Sequence, residues 1–338
     1  MKKLIALVFS ILLMTNANAF ASGIEVESTM QSKTNAQDRV WVGTFQLVWN
    51  DFIERIVHNP VRFREGTPGV VQELNKQEFT TADLSEKSYY KTTCRVTKKT
   101  KKEIAKAIKK KFKESSDLLD KLDLTPGNDK FLIYAMLKKD FEFVNTFDKL
   151  GKSTFGNGQQ AEYFGVSSKS NAKLDGGVKV LFYNSSNDFA VKLATKDNDE
   201  VYIYKNSANK PFNYIYSDMN KKTKAFKGNC NFEKNDELKV PNIKFFEEKS
   251  FDELVGKRIM GTNIVISQAM ETVKFNMNNK GVELKSEAAM GIMRTSLEPP
   301  EDAPRYFYYD DTFVIFLKEK NKNNPYFALR VNDITKFQ

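Results

Sequence analysis

The 338-residue chain has one histidine, His58. A Ser-His-Asp or Cys-His arrangement would have to use it, because the imidazole is the base such nucleophiles need near neutral pH. It stands in Val57-His58-Asn59-Pro60, where a helix is expected to end, and reads as a capping or surface side chain. No G-x-S-x-G, P-loop or G-x-G-x-x-G occurs, and no Cys/His cluster has zinc spacing. These gaps argue against nucleophilic, nucleotide and metal chemistry, so no cofactor and no metal are expected. Asp and Glu total 43 residues, but no pair stands out by spacing, which leaves a carboxylate-pair hydrolase without candidates. The reading is of a protein that is not an enzyme.

The remaining reactive groups are two thiols and a lysine run. Cys94 and Cys230 could form one disulfide in an exported protein, and the sequence equally allows two buried free thiols. In Arg95–Lys113, residues Ile104, Ala105, Ile108 and Phe112 fall on one helical face. Lys98, Lys99, Lys101, Lys102, Lys106, Lys109, Lys110 and Lys113 surround it. That is either a solvated helix face or a dock for an anionic glycan or surface, whose binding would weaken steeply with salt. Most of the excess charge of +10 comes from lysine rather than arginine, which argues against nucleic-acid specificity.

A third stretch, Lys274–Phe316, is patterned rather than reactive. After a turn at Asn278-Asn279-Lys280-Gly281, the residues Val282, Leu284, Ser286, Ala288 and Met290 are apolar or small. Glu283, Lys285 and Glu287 alternate with them. Period two marks a half-buried strand. Yet the stretch runs on into a polar, proline-bearing segment, 291–304, that reads as an exposed loop.

The elements that would position these groups follow from local signals. Residues 1–21 combine Lys2 and Lys3, an apolar run and Ala-x-Ala-type small residues, as a signal peptide does, so the chain is expected to be secreted or periplasmic. No later stretch is long and apolar enough to span a bilayer. Residues 22–39 read as a flexible leader and 40–338 as one domain, expected to be monomeric. Val40–Val57 has a helical apolar stripe ended by Pro60. Further helices are expected at Gly69–Glu78, Ala82–Tyr90 and through the lysine run to Leu122. From Lys130 the apolar runs are short and bounded by turns: Lys130–Leu137, Phe141–Phe147, Val178–Tyr183, Phe189–Thr195, Glu200–Lys205, Leu238–Phe246, Ile264–Met277, Tyr306–Lys318 and Tyr326–Val331. Helices first and strands afterwards argue for an α+β fold.

Four segments in order then resemble the serpin family. These are LKVPNIKFFEE (Leu238–Glu248), NIVISQAMETVKFNMNNKGVELKSEAA (Asn263–Ala289), MRTSLEPPE (Met293–Glu301) and TFVIFLKEKNKNNPYFALRVND (Thr312–Asp333). Leu132–Phe147 is similar to a further central-sheet strand of that family. The resemblance implies a helix-rich N-terminal part, here shortened, with mixed and antiparallel sheets and an exposed C-terminal reactive loop. It implies a partner that is a serine or cysteine protease, trapped when it cuts the loop and the loop inserts into a central sheet. The hinge would be Gly281, Val282, Glu283, Leu284, Ser286 and Ala288. Counting from Gly281 puts the scissile bond at Thr295-Ser296, or one residue earlier at Arg294-Thr295. Arg294 suits a trypsin-like protease, and Met293 or Thr295 an elastase-like or subtilisin-like one. The departures are the bulk of Leu284, the charge of Lys285 and the missing Ser-Pro-x-Ser segment. They keep a second expectation open, a serpin-fold binding protein that does not inhibit.

Overall fold

The computed structural model describes residues 23–127, 130–156, 158–168, 170, 176–283 and 304–338. In chain order, the first half has strands β1 (Glu25–Glu27), β2 (Arg39–Val42), β3 (Tyr89–Arg95), β4 (Phe131–Leu137), β5 (Phe141–Glu142), β6 (Asp148–Phe155) and β7 (Gln159–Val166). Then come β8 (Val178–Ser185), β9 (Asp188–Ala194), β10 (Asp199–Lys205), β11 (Glu237–Pro241), β12 (Ile243–Ser250) and β13 (Met270–Asn278). The last are β14 (Gly281–Glu283), β15 (Tyr306–Tyr308), β16 (Phe313–Glu319) and β17 (Phe327–Val331). The α-helices are α1 (Thr44–Phe52), α2 (Gly69–Leu74), α3 (Thr100–Phe112) and α4 (Phe212–Ala225). None of the described helices is long and apolar enough to cross a membrane.

One sheet runs β1-β2-β17-β16-β10-β9-β8. Its middle is made of FVIFL and FALRV, whose residues are buried without alternation. Such runs suit strands covered on both faces. The other groupings are β15-β11-β7-β6, β12-β13-β14-β5, and β3 paired with β4. The α+β class read from the sequence is the class observed.

Several boundaries move for tertiary reasons. The leader is not flexible throughout: β1 pairs in parallel with β2, and Ile24, Val26 and Met30 are buried. The first helix starts at Thr44 rather than Val40, because Arg39–Val42 is taken into the large sheet beside β17. Gly43 separates the two; a Cβ there would lie 2.1 Å from the Phe79 ring. Residues expected as a helix at 82–90 form two 3-10 turns and the start of β3. The helix through the lysine run ends at Phe112, where Lys113 turns left-handed (φ 61°), so no helix continues to Leu122. Cys94 and Cys230 are both free thiols, and Cys230 is exposed rather than buried.

Arg39 anchors the recovered leader. It is wholly buried, pairs with Glu27 at 2.8 Å, donates to the Lys210 carbonyl and lies over the Phe212 ring. Arg330, its register partner on β17, is also buried and donates to the carbonyls of Gln37 and Ser207. Burial, and then the neighbouring Arg39 charge, push Arg330 down to about 10. Removing one member of a buried pair strands the other charge. Arg39→Ala should therefore lose about 3–5 kcal/mol of unfolding free energy in urea titration. Glu27→Leu with Arg39→Met should recover most of that loss.

Candidate functional site

The feature most open to function is a break between two strand edges. Among the described residues, β4 is hydrogen-bonded along one edge only, to β3, from Tyr89↔Leu137 to Arg95↔Phe131. β13 pairs with β12 over its whole length, from Ser250↔Met270 to Ile243↔Met277. On its other edge, among the described residues, β13 has a ladder only at Asn276–Asn278. The facing edges of β4 and β13 bound a cleft of about 1580 Å³, floored by Phe45, Val48, Trp49 and Phe52 of α1. Phe131 and Phe246 stand on its rim 46% exposed, and Val265 stands there 44% exposed.

One end of the cleft is closed by β14. It returns from β13 through Asn279-Lys280 and pairs antiparallel with β13 on one side and β5 on the other. Asn276↔Glu283, Met277↔Val282 and Asn278↔Gly281 fix the first register, and Gly281↔Glu142 and Val282↔Phe141 the second. The turn is clamped from outside: Phe143 N–H donates to the Lys280 carbonyl and Phe147 N–H to the Asn279 carbonyl, both at 2.9 Å. Gly281 is needed for close approach, since a Cβ there would lie 2.3 Å from the Phe141 carbonyl oxygen. A strand antiparallel to both neighbours shows that β5 and β13 run the same way, with one antiparallel strand between them.

β13 alternates in burial. Glu271, Val273, Phe275 and Met277 face inward, and Lys274 outward. Glu271 is the exception in kind, a carboxyl only 4% exposed that lines the cleft. Neither of its oxygens has a hydrogen-bond partner among the described residues. Burial pushes it up to about 8; the backbone N–H of Phe45, at the start of α1, opposes the shift without forming a proper hydrogen bond. Sequence reading passed over this residue as part of a strand-like run. The available signal was its period-two alignment with Val273, Phe275 and Met277.

The expected hinge falls partly within the described residues. Gly281 and Val282 are in the ladder, Val282 is 1% exposed, and Glu283 extends the pairing. Leu284, Ser286 and Ala288, with the expected scissile region Met293, Arg294, Thr295 and Ser296, lie outside the described residues, as do residues 1–21, expected as a signal peptide. Lys98, Lys99, Lys101, Lys102, Lys106, Lys109, Lys110 and Lys113 are all exposed around α3. The apolar face of α3 is as expected at Ile104, Ile108 and Phe112, whereas Ala105 is exposed. His58 caps the turn after α1 in a left-handed conformation (φ 59°) and is exposed. No group of three or more potential metal ligands occurs among the described residues.

No protein-family model matches the sequence, and no curated protein matches it. Among solved structures, the chain is similar to Serpin48, a highly specific serpin of the insect Tenebrio molitor. Identity there is 15%, over 87% of this chain and 91% of that one, with a TM-score of 0.47. It is also similar to human thyroxine-binding globulin in complex with thyroxine, at 10% identity over 84% of this chain and 94% of that one, with a TM-score of 0.44.

Glu271 gives the cleft a pH signature. In the unfolded chain it ionises near its ordinary 4.5, and in the folded protein near 8. The folded state holds the extra proton between those values, so stability falls as pH rises through that window. Glu271→Gln should melt like the parent at pH 4.5 and be more stable by about 1–3 kcal/mol at pH 8.5. Equal melting of both proteins across that range would contradict an unpaired buried carboxyl.

Proposed function

We propose that the protein is an exported serpin-like protease trap in which residues 282–290 fill the cleft between β4 and β13 after the 291–304 loop is cut. The supporting observation is the cleft itself, two lips left unpaired among the described residues, with β14 started between them at one end. Continuing the β13–β14 register sets Leu284 opposite Phe275, Ser286 opposite Val273 and Ala288 opposite Glu271. Directly opposed residues share a face, and β13 buries that face. Lys285 and Glu287 then point outward. A one-residue slip would bury the charges instead, so the register is strongly specified.

The trapping step is chemistry of the protease. Its nucleophile attacks the scissile carbonyl at Arg294-Thr295 or Thr295-Ser296, and the new amino terminus leaves as the loop is severed. What this chain supplies is motion: ladder hydrogen bonds and apolar burial withheld while the lips stay apart. Insertion must outrun hydrolysis of the acyl-enzyme. Leu284 is bulky for a hinge, and slow insertion would give a cleaved substrate rather than a trapped enzyme.

The lysine face supports a second property, binding of an anionic glycan. Lys98, Lys99, Lys102, Lys106, Lys109 and Lys110 are exposed and form no ion pair among the described residues. Lys102, Lys106 and Lys109 make a row about 10 Å long on α3. The apolar face of that helix is already spent on β3 and β4, which leaves nothing to insert into a bilayer.

Two measurements test these readings. Incubation with trypsin-like and elastase-like proteases should give a complex that survives boiling in detergent. Cleavage in 291–304 should raise the melting temperature by tens of degrees. A cleaved chain with unchanged melting temperature and no complex would leave the non-inhibitory binding protein as the reading. Separately, Lys102→Ala/Lys106→Ala/Lys109→Ala should elute from heparin at markedly lower salt than the parent. Unchanged elution would remove the glycan surface.

A further inference from the structure

The cleft between β4 and β13 has room for a small molecule. Its volume of about 1580 Å³ exceeds the roughly 300–1,000 Å³ of ordinary small-molecule pockets. Its floor is the apolar face of α1, with Phe45, Val48, Trp49 and Phe52, and Ile264 and Ile266 also line it. Phe131, Phe246 and Val265 make the mouth apolar as well. Apolar walls on this scale suit a ligand with a long hydrocarbon or ring body.

Among these walls stands a carboxyl that the chain does not neutralise. Glu271 lines the cleft, is 4% exposed, and has no hydrogen-bond partner on either oxygen among the described residues. The cations on the surrounding elements are committed elsewhere. Lys249, its register partner on β12, pairs with Glu25 at 2.9 Å. Lys139, just past β4, is held by Glu319 and Asp199. Arg55, just past α1, pairs at 3.4 Å with Asp51, which Lys91 of β3 also reaches. Glu247, the next inward residue of β12, is a second acid and not a counterion. A buried carboxyl without a donor is costly. A ligand that brings a charged donor on an apolar body would meet both the carboxyl and the walls.

We propose that the cleft of the uncut chain is a binding site for a hydrophobic amine, with its ammonium on Glu271 and its apolar body along α1. The chemistry of the carboxyl selects this class. A fatty carboxylate would bring a second acceptor to Glu271 and no donor, and a fatty alcohol would bring one neutral donor. An ammonium brings three donors and the opposite charge. Binding ionises Glu271, which burial keeps protonated up to about pH 8, and its proton passes to solvent. The site stands whether or not the loop inserts after cutting.

Calorimetric titration with n-decylamine, n-decanol and decanoate tests the site. At pH 8 the parent should bind the amine about tenfold or more tighter than the alcohol, and decanoate most weakly. The chain's net charge of +10 favours decanoate at the surface, so adsorption would give the reverse order. Glu271→Gln should bring the amine to within twofold of the alcohol and leave the alcohol unchanged. On the parent, amine affinity should fall by about tenfold per pH unit well below pH 8, and buffers of different ionisation heat should reveal about one proton released near pH 6.5. The alcohol should show neither effect. The proton count is read on the parent chain and does not depend on the variant. No amine binding, equal binding of amine and alcohol, an amine preference kept by Glu271→Gln, or binding without proton release would each overturn the site. A chain that forms no protease complex should give the same titrations, so the site and the trap fail separately.

Discussion

Everything here depends on a sheet held open down its middle. Among the described residues, the edge of β4 and the edge of β13 each have a satisfied ladder on the far side and none toward each other along most of their length. Backbone donors and acceptors left this way are a standing demand for a partner strand. The demand has a direction, because β5 and β13 run the same way and are best joined by one antiparallel strand. β14, which follows the Asn279-Lys280 turn, starts at that position as a hairpin, with no crossover and no long loop to close. An occupant from elsewhere in the chain would need a connection of a dozen residues or more.

The rest of the molecule keeps the two lips from simply collapsing. The break between β4 and β5 is pinned by Lys139, which is 5% exposed and reaches Glu319 at 2.5 Å and Asp199 at 2.8 Å. Glu319 also accepts from Ser85 and Ser88, and Asp199 from Tyr326, so this buried cluster is satisfied and fixed to the middle of the large sheet. The turn before β14 is clamped by Phe143 and Phe147. Below, α1 packs against β4 and fills the floor. The lips are thus spaced by packed parts beneath them and by the clamped turn at the β14 end.

How much of this the sequence disclosed depended on whether the deciding forces were local. β16 and β17 were legible because unbroken apolar runs need no partner to identify them. The hairpin turn at Asn278–Gly281 was legible from turn chemistry. The start of α1 was not, since RVWVGTFQLVW is apolar on both sides of Gly43, and the boundary is set by Phe79 packing on that glycine and by pairing with β17. β6 shows no apolar alternation, only an exposed face, and exists because β7 pairs with it. α4 carries just Phe212, Ile215 and Met219 on its buried side, a sparse stripe after Pro211 that a reader of polar sequence passes over. The cleft is a relation between strands distant in sequence, and no local pattern could contain it.

Glu271 ties the electrostatics of the cleft to its filling. An inward carboxyl with no partner is tolerated because burial keeps it protonated near neutral pH, so the cost is that of an unmet polar group and not of a bare charge. In the proposed insertion, the continued register would set Ala288 opposite it, the smallest apolar side chain in the alternating set. A larger residue there would crowd the carboxyl against α1, and a charged one would force it to ionise or to pair. The bulk in the segment is placed earlier, at Leu284, opposite Phe275. In the proposed trap, insertion from the turn would therefore meet its steric resistance first and its electrostatic resistance later, by which stage several ladder hydrogen bonds would already be formed.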